Sequence, residues 1–399
     1  MGYKCVYMLS EIKEYLKNTV LFAFDFETSP CDKWRNDKSA ALDAHKADIT
    51  GISFSVSEGT AIYVPLKHRS GRNAENQAAI WDYLKLLFES KDVIKVAHNL
   101  AFESMFLYAR GIVLQKPCYD TIAASQLTLK SKWEFRSLAD SGLKTLAPAL
   151  CKAEMTEFST VTEGRFFDEL NPQDEKTVRY ACADSDYTLR LYHVFNQWFD
   201  RFLPKHRTIV EEVESPTSVY VGIMKYNGIL VDKSAMLKKQ AEAAEKIVSI
   251  RKEIAGIIGN VEIGANASTS AFKKYLFVDL GLPVMKTTAK HQEAADDETM
   301  ILLKGWCESN RPELARLFDL VQEYRKWGKL KSTYIDGYLR FIDDDTGRIH
   351  PDLMPLGTET GRFASRNPNM QNCPQKDNDP IGVRKFIIAP AGKVLLSLD

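Results

Sequence analysis

LFAFDFET, Leu21 to Thr28, is apolar enough to be a buried strand, yet it sets Asp25 and Glu27 two residues apart. Side chains at i and i+2 of a strand share a face, so these two carboxylates stand side by side. Neighbouring carboxylates repel each other and are costly to bury. A bound cation relieves that cost, and the stretch therefore reads as a core strand with a candidate cation site.

Outward from this strand the chain continues as α/β. DITGISFSVSEGTAIYVPL reads as two strands split by the turn signal Glu58-Gly59. A helix is expected around Ile80, Leu84, Leu87 and Phe88, then a short buried strand, VIKVAHN, and a helix, AFESMFLYARG, closed by Gly111. Asn171-Pro172 is expected to open a long helix with Asp174 and Glu175 in its first turn and an apolar stripe of Leu191, Phe195, Trp198 and Phe202. Beyond about Pro204 the chain turns charge-rich and helical, as in AMLKKQAEAAEKIVSIRKEIAGIIG. From about 331 it becomes mixed, with Gly, Pro and Asn loops.

Two further fragments join the strand pair. AHNLAFES puts Glu103 four residues beyond Asn99, just after a buried strand. YACADSD puts Tyr180 and Asp184 at i and i+4 on one helix face. Taken singly, each has an ordinary structural explanation: a strand end, helix N-terminal decoration, a tyrosine packed beside a solvated aspartate.

Bulk properties bound the rest. A chain of 399 residues is too long for one ordinary core and implies two or three domains. The composition, 45% hydrophobic and 27% charged, is that of a soluble globular protein. The sequence shows neither an apolar run of membrane-spanning length nor a signal-peptide core, so a cytosolic protein is expected. Seven scattered cysteines without CxxC pairs suggest neither a disulfide framework nor a zinc site. The formal net charge of zero gives no global sign of a nucleic-acid partner, although acidic metal sites and basic grooves can cancel in the sum.

Together the fragments resemble the 3′–5′ exonuclease domain of the family A DNA polymerases, over roughly residues 15 to 205. Asp25 and Glu27 fall on the family's first motif, DxET. Asn99 and Glu103 fall on the second, with Glu in place of the usual Asp, and Tyr180 and Asp184 fall on the third, YxxxD. YDTIAASQL is similar to the family's segment that begins FDT. The resemblance implies a ribonuclease H-like α/β fold, a mixed sheet with flanking helices. It also implies two divalent ions, Mg2+ or Mn2+, on Asp25, Glu27, Glu103 and Asp184, with Tyr180 and Glu27 orienting the attacking water. Two such ions about 4 Å apart bind the attacking water and the leaving oxygen together, and hard ions of this kind take carboxylate oxygens. Relatives with a histidine in the third motif carry it about five residues before the aspartate. Arg179 and Tyr180 occupy that region here, so the tyrosine subclass is expected.

The second half resembles the polymerase module of the same family. ESPTSVYVGIMKYNGILVD, from Glu214, is similar to the segment joining exonuclease to thumb, and on its own pattern is an amphipathic helix ending at Gly228. EYRKWGKLKSTY carries Arg325, Lys326, Lys329 and Lys331 and is similar to the thumb-to-palm junction, where such residues contact duplex phosphates. GRIHPDLMPLGTETGRFASRNPNMQNCPQ matches GRxH, TxTGR and PNLQNxP, with Met370 for Leu. The resemblance implies that Arg362, Asn369, Gln371 and Asn372 face the primer–template, that Asn99 and Lys331 touch DNA, and that Lys376 lies near the nucleotide phosphates, with a charge but without the bidentate fork of the family's Arg. Amides and one Arg suit minor-groove acceptors that every base pair displays. KVLLSLD leads in the family to the palm's metal-binding aspartate, on which Asp399 falls.

The expected architecture is thus an exonuclease domain at 1–205, a mainly helical thumb at 206–330 and a partial α+β palm at 331–399. A two-metal polymerase site needs more than one carboxylate. The chain alone is therefore expected to act as a 3′–5′ exonuclease on DNA 3′ ends, proofreading in the complete enzyme, and synthesis to need the rest of palm and fingers, supplied either by a second polypeptide or by a continuation of this sequence. An arrangement without a preceding 5′ nuclease domain resembles a bacteriophage replicative polymerase, hence a bacterial cytoplasm, phage-infected or not. Two alternatives stand beside this: a stand-alone 3′–5′ exonuclease of RNA or DNA processing, and a degenerate module that only holds DNA.

Overall fold

A computed structural model of the chain describes residues 2–129, 141–358, 360–374 and 379–398. Chain contacts divide it into two compact units: residues 1–227 with 352–365, and residues 228–351 with 366–399.

The first unit is built on one six-stranded sheet. Its elements in chain order are β1 (Gly2–Cys5), α1 (Leu9–Tyr15), β2 (Leu21–Pro30), β3 (Ala47–Ser57), β4 (Thr60–Pro65), α2 (Gln77–Phe88), β5 (Ile94–Ala97), α3 (Leu100–Ala109), β6 (Cys118–Asp120), α4 (Thr121–Leu129), α5 (Leu143–Cys151), α6 (Phe158–Thr162) and α7 (Glu175–Phe202). Helix α8 (Pro204–Ile209) then runs through a π-helical turn, Val210–Glu214, into α9 (Ser215–Asn227). The strands lie in the order β1-β4-β3-β2-β5-β6. β2, β3 and β4 form an antiparallel meander, and β1, β5 and β6 add to it in parallel.

Strand β2 sits inside this sheet, and its alternation fixes the two faces. Phe22, Phe24 and Phe26 point into an aromatic core with Phe54 and Phe88, where the Phe24 and Phe88 ring centres are 4.8 Å apart. Truncating a fully buried ring such as Phe88 costs about 3–5 kcal/mol. Ala23 points the other way, into the core shared with Leu189, Leu191 and Phe195 of α7. That helix lies across β1 to β5.

Three details differ from the expectation. The sheet starts at Gly2, because the short β1 pairs with β4 before the first motif. The long helix opens at Glu175 rather than at Pro172: Asn171 Oδ1 accepts the Gln173 amide in a local turn, and Asp174 takes the N-cap position. Its stripe runs through Leu191, Phe195 and Phe199, with Trp198 half-buried against the same core as expected, whereas Phe202, the last residue of the helix, is exposed.

The second unit is mainly helical. It begins with β7 (Ile229–Leu230) and α10 (Lys233–Ile258), then α11 (Ser270–Lys274), α12 (Asp297–Asn310) and α13 (Pro312–Lys329). Ile250, Ile254, Phe272, Leu303, Leu317 and Phe318 form its main core. After α14 (Gly337–Leu339), β8 (Ile342–Asp343) and β9 (Arg348–Ile349) join β7 in a three-stranded sheet ordered β7-β9-β8. β10 (Asp352–Met354) and β11 (Ala364–Arg366) form a separate pair that lies, but for Arg366, in the stretch 352–365 belonging to the first unit. All seven cysteines are free. Among the described residues no helix is long and apolar enough to cross a membrane.

Candidate active site

Three elements of the first unit bring the acidic residues together. Strand β2 turns Asp25 and Glu27 to the face that α7 covers, and α7 carries Tyr180 and Asp184 one turn apart. Asp25, Glu27 and Asp184 each offer an oxygen, and these oxygens lie within 4.8 Å of one another. Glu103 comes from the first turn of α3 and is buried outside that tight group. Its helix is held from two sides. Asp120 Oδ1 and Oδ2 accept the backbone N–H groups of Asn99 and Leu100, each at 3.2 Å. Gly222 lets α9 approach closely: a Cβ there would stand 2.3 Å from the Ala101 carbonyl oxygen.

The electrostatics follow from crowding. Burial pushes the Asp25 carboxyl well up, and Asp184 pushes it further. Glu27 is raised by burial, then by Asp25 and Asp184. Glu103 is raised by burial, then by Asp25. The Asp184 carboxyl is raised by burial and held back by Lys144. Tyr180, buried beside Asp184, Glu27 and Asp25, is pushed far up and stays a neutral hydroxyl. Glu27 Oε1 and Glu103 Oε2 are buried without a hydrogen-bond partner among the described residues. Orphaned carboxylate oxygens facing their own kind are the arrangement that a hard cation satisfies. The donor set therefore fits divalent metal ions.

Lys144, on α5, is the functional neighbour that motif reasoning missed. It forms an ion pair with Asp184, and its ammonium lies 4.4 Å from the Tyr180 ring centre. A single lysine in GLKTLAPAL has no sequence signal to separate it from a solvated helix position. Asp120 was legible only as part of YDTIAASQL, without its helix-tethering role.

A second polar cluster braces the scaffold beside the site. Buried His68 donates from Nδ1 to the Leu170 carbonyl, 2.8 Å away, which leaves Nε2 to accept from the Tyr63 hydroxyl at 2.7 Å. Burial lowers the His68 pKa to about 4. Gly51, paired with Glu27 across β2 and β3, makes room for Tyr63: a Cβ there would stand 2.0 Å from its hydroxyl oxygen.

The remaining sequence-predicted residues lie elsewhere. Asn99 is exposed in the left-handed region at φ 76°, at the N-cap of α3. Arg362 is exposed in the segment that belongs to the first unit. Asn369, Gln371 and Asn372 are exposed on one loop of the second unit; Asn369 Oδ1 accepts the Gln371 amide at 3.0 Å, and the Asn372 carbonyl accepts from Tyr334. Lys331 pairs with Asp336 at 2.7 Å. Arg325 is taken up by the carbonyls of Asn266, Ala267 and Ala295 and by Asp297, whereas Lys326 and Lys329 are exposed. Lys376 and Asp399 lie outside the described residues.

Comparison with known proteins gives a consistent picture. Residues 4–199 match the 3′–5′ exonuclease family, and residues 233–399 match DNA polymerase family A. The chain is 29% identical to DNA polymerase I of Pseudomonas aeruginosa over 391 residues, 96% of this chain and 40% of that protein. It is 29% identical to DNA polymerase I of Borreliella burgdorferi, covering 98% of this chain and 39% of that protein. The thermostable DNA polymerase I of Thermus aquaticus is 32% identical over 193 residues. The chain thus spans about 40% of the length of the first two relatives. In three dimensions it resembles the POL domain of Pol1 from M. smegmatis, solved in complex with DNA primer-template and dNTP, with a TM-score of 0.74, 20% identity and 98% of this chain covered against 59% of that one.

Proposed function

We propose that this chain, which belongs to the family A DNA polymerases and carries their 3′–5′ exonuclease domain with the start of the polymerase domain, removes nucleotides stepwise from the 3′ ends of DNA. The observation that carries this is the group of Asp25, Glu27 and Asp184 oxygens within 4.8 Å, with an orphaned Glu27 oxygen beside them. The family uses divalent metal; two ions, Mg2+ or Mn2+, would be held here by these three residues and Glu103. Bound ions of this kind acidify a water and stabilise the leaving oxygen of a phosphodiester.

The chain's own groups do the rest. Tyr180, kept neutral, donates a hydrogen bond toward the water or the scissile phosphate, and Glu27 accepts the water's proton side. Asn99 at the head of α3 contacts the strand. In the complete protein this activity proofreads.

By the same proposal, Asn369, Gln371, Asn372 and Lys331 of the second unit contact DNA, as does Arg362 of the first, while Lys376 meets the nucleotide phosphates and Asp399 a palm metal. The assignment divides the chain at 1–205, 206–330 and 331–399. Val394, Leu395, Leu396 and Leu398 are all strongly exposed, which supports a further stretch of polypeptide, in the same or a second chain, covering them and completing palm and fingers. A bacterial cytoplasm is the working place.

The test is direct. A 5′-labelled single strand incubated with Mg2+ or Mn2+ shortens stepwise, and the double substitution Asp25→Ala, Glu27→Ala abolishes this. Persistence of shortening in the double variant overturns the assignment. Binding of the strand without any cleavage by the unaltered chain favours a DNA-holding module instead.

A further inference from the structure

We propose that Lys144 is a built-in cation of the carboxylate site: it holds Asp184 and Tyr180 in place, and it offsets one of the negative charges that would otherwise recruit divalent metal. The inference rests on the metal-binding reading given above.

Lys144 is the second residue of α5, and its anchorage is firm. Leu143, Leu146 and Ala147 of the same helix are buried in the core that contains Leu189, Leu191 and Phe195 of α7. The lysine side chain is 24% exposed and the Asp184 side chain 11%. An exposed ion pair contributes little, but this one ends on a buried carboxylate that already faces two others. The same ammonium lies over the Tyr180 ring, a contact that favours a cation on the ring face. One positive group therefore bridges two residues that the third motif supplies.

Charge counting gives the consequence. Asp25, Glu27, Glu103 and Asp184 bring four negative charges when ionised. Two divalent ions cancel them and leave nothing for the phosphodiester. With Lys144 present, the loaded site keeps one net positive charge toward the anionic strand. A carboxylate has enough lone pairs to keep a lysine and an ion together, so Lys144 need not leave. It repels the incoming ions, however, so the site holds metal more weakly than its carboxylates alone would.

Lys144→Met removes the charge and keeps the length, so two readouts move in opposite directions. Titration calorimetry of the full chain with Mn2+, without DNA, is expected to show binding roughly threefold to tenfold tighter than in the unaltered chain. Cleavage of the 5′-labelled strand at saturating Mn2+ is expected to fall by about tenfold, since Asp184 and Tyr180 lose their anchor. Lys144→Arg keeps the charge and is expected to hold Mn2+ affinity within about twofold of the unaltered chain. If thermal melts show that the Met variant does not fold, Lys144→Gln carries the same expectation. Unchanged or weaker Mn2+ binding in the neutral variant overturns the proposal, as does an Arg variant that gains affinity as the neutral one does. An unaltered chain that binds no Mn2+ removes the metal-binding reading itself and this proposal with it. That result is distinct from normal binding with no effect at Lys144.

Discussion

The carboxylate cluster of the first unit and the TETGRFASRNPNMQN segment at the other end of the chain differ in how their residues are held. In the cluster, β2 and α7 bring Asp25, Glu27 and Asp184 within 4.8 Å of one another, α3 buries Glu103 outside that tight group, and each residue is fixed by a packed element. In the C-terminal segment, Arg362, Asn369, Gln371 and Asn372 are exposed on loops, and the apolar run after it has no strand partner among the described residues. The cluster's chemistry is therefore a property of tertiary packing inside this chain. The other motif is mostly exposed surface, with Ser365 and Pro368 buried within it.

The largest effect that sharpens this contrast is expected at Glu103. Replacing it by Gln keeps the shape and removes a charge from the site, so stepwise cleavage should fall by about 10²- to 10³-fold, or about 3–4 kcal/mol in barrier. A single-turnover assay on the labelled strand measures it. A loss of less than about threefold would detach Glu103 from the cluster and make the site a triad only.

A smaller effect is expected from the scaffold beside the site. Folded His68 stays neutral down to about pH 4, whereas an unfolded histidine takes up a proton near 6.5. Between those values the unfolded chain binds more protons. Stability contributed by His68 is therefore complete above pH 6.5 and is lost progressively as pH falls toward 4, by about 3 kcal/mol at most. Urea unfolding of the first unit at pH 7 and pH 4.5 should show this loss. His68→Gln, which can donate to Leu170 and accept from Tyr63, should flatten the dependence. An unchanged slope would remove His68 as its source.

The smallest effect is expected in the exposed tail. Leu396→Asp should leave folding and single-strand cleavage within experimental error, because an exposed substitution usually moves stability by under about 0.5 kcal/mol. It should reduce binding of a hydrophobic dye and self-association at high concentration. A marked fall in stability would mean that the tail packs on this chain, and the contrast between the two regions would weaken.

Much of this was legible in the sequence for a physical reason. Asp25 and Glu27 share a face by the period of a strand, and Tyr180 and Asp184 by the period of a helix, so local geometry carries half of the site before any tertiary contact is known. The chain order of β2, β3 and β4 was readable from apolar runs and the Glu58-Gly59 turn, where Gly59 has φ +80°. What stayed hidden depends on distant packing. Strand β1 is too short and too plain to announce itself, and it exists because β4 offers an open edge. Lys144 reads as any helix lysine until α5 docks on α7. Arg325, one of four basic residues in a run, is drawn inward by carbonyls of remote loops, which no composition count reveals.

The placement of Asp184 late in the first unit has a consequence for synthesis on the ribosome. Strand β2 and its two acids emerge early, but the helix that completes the cluster appears only after all six strands of the sheet have been made. A nascent or prematurely terminated chain that stops before α7 thus carries Asp25, Glu27 and Glu103 without their closing partner. On the proposed function, such products lack one of the three close-set carboxylates of the metal site and should not cleave DNA, so the order of elements along the chain makes completion of the site a late event.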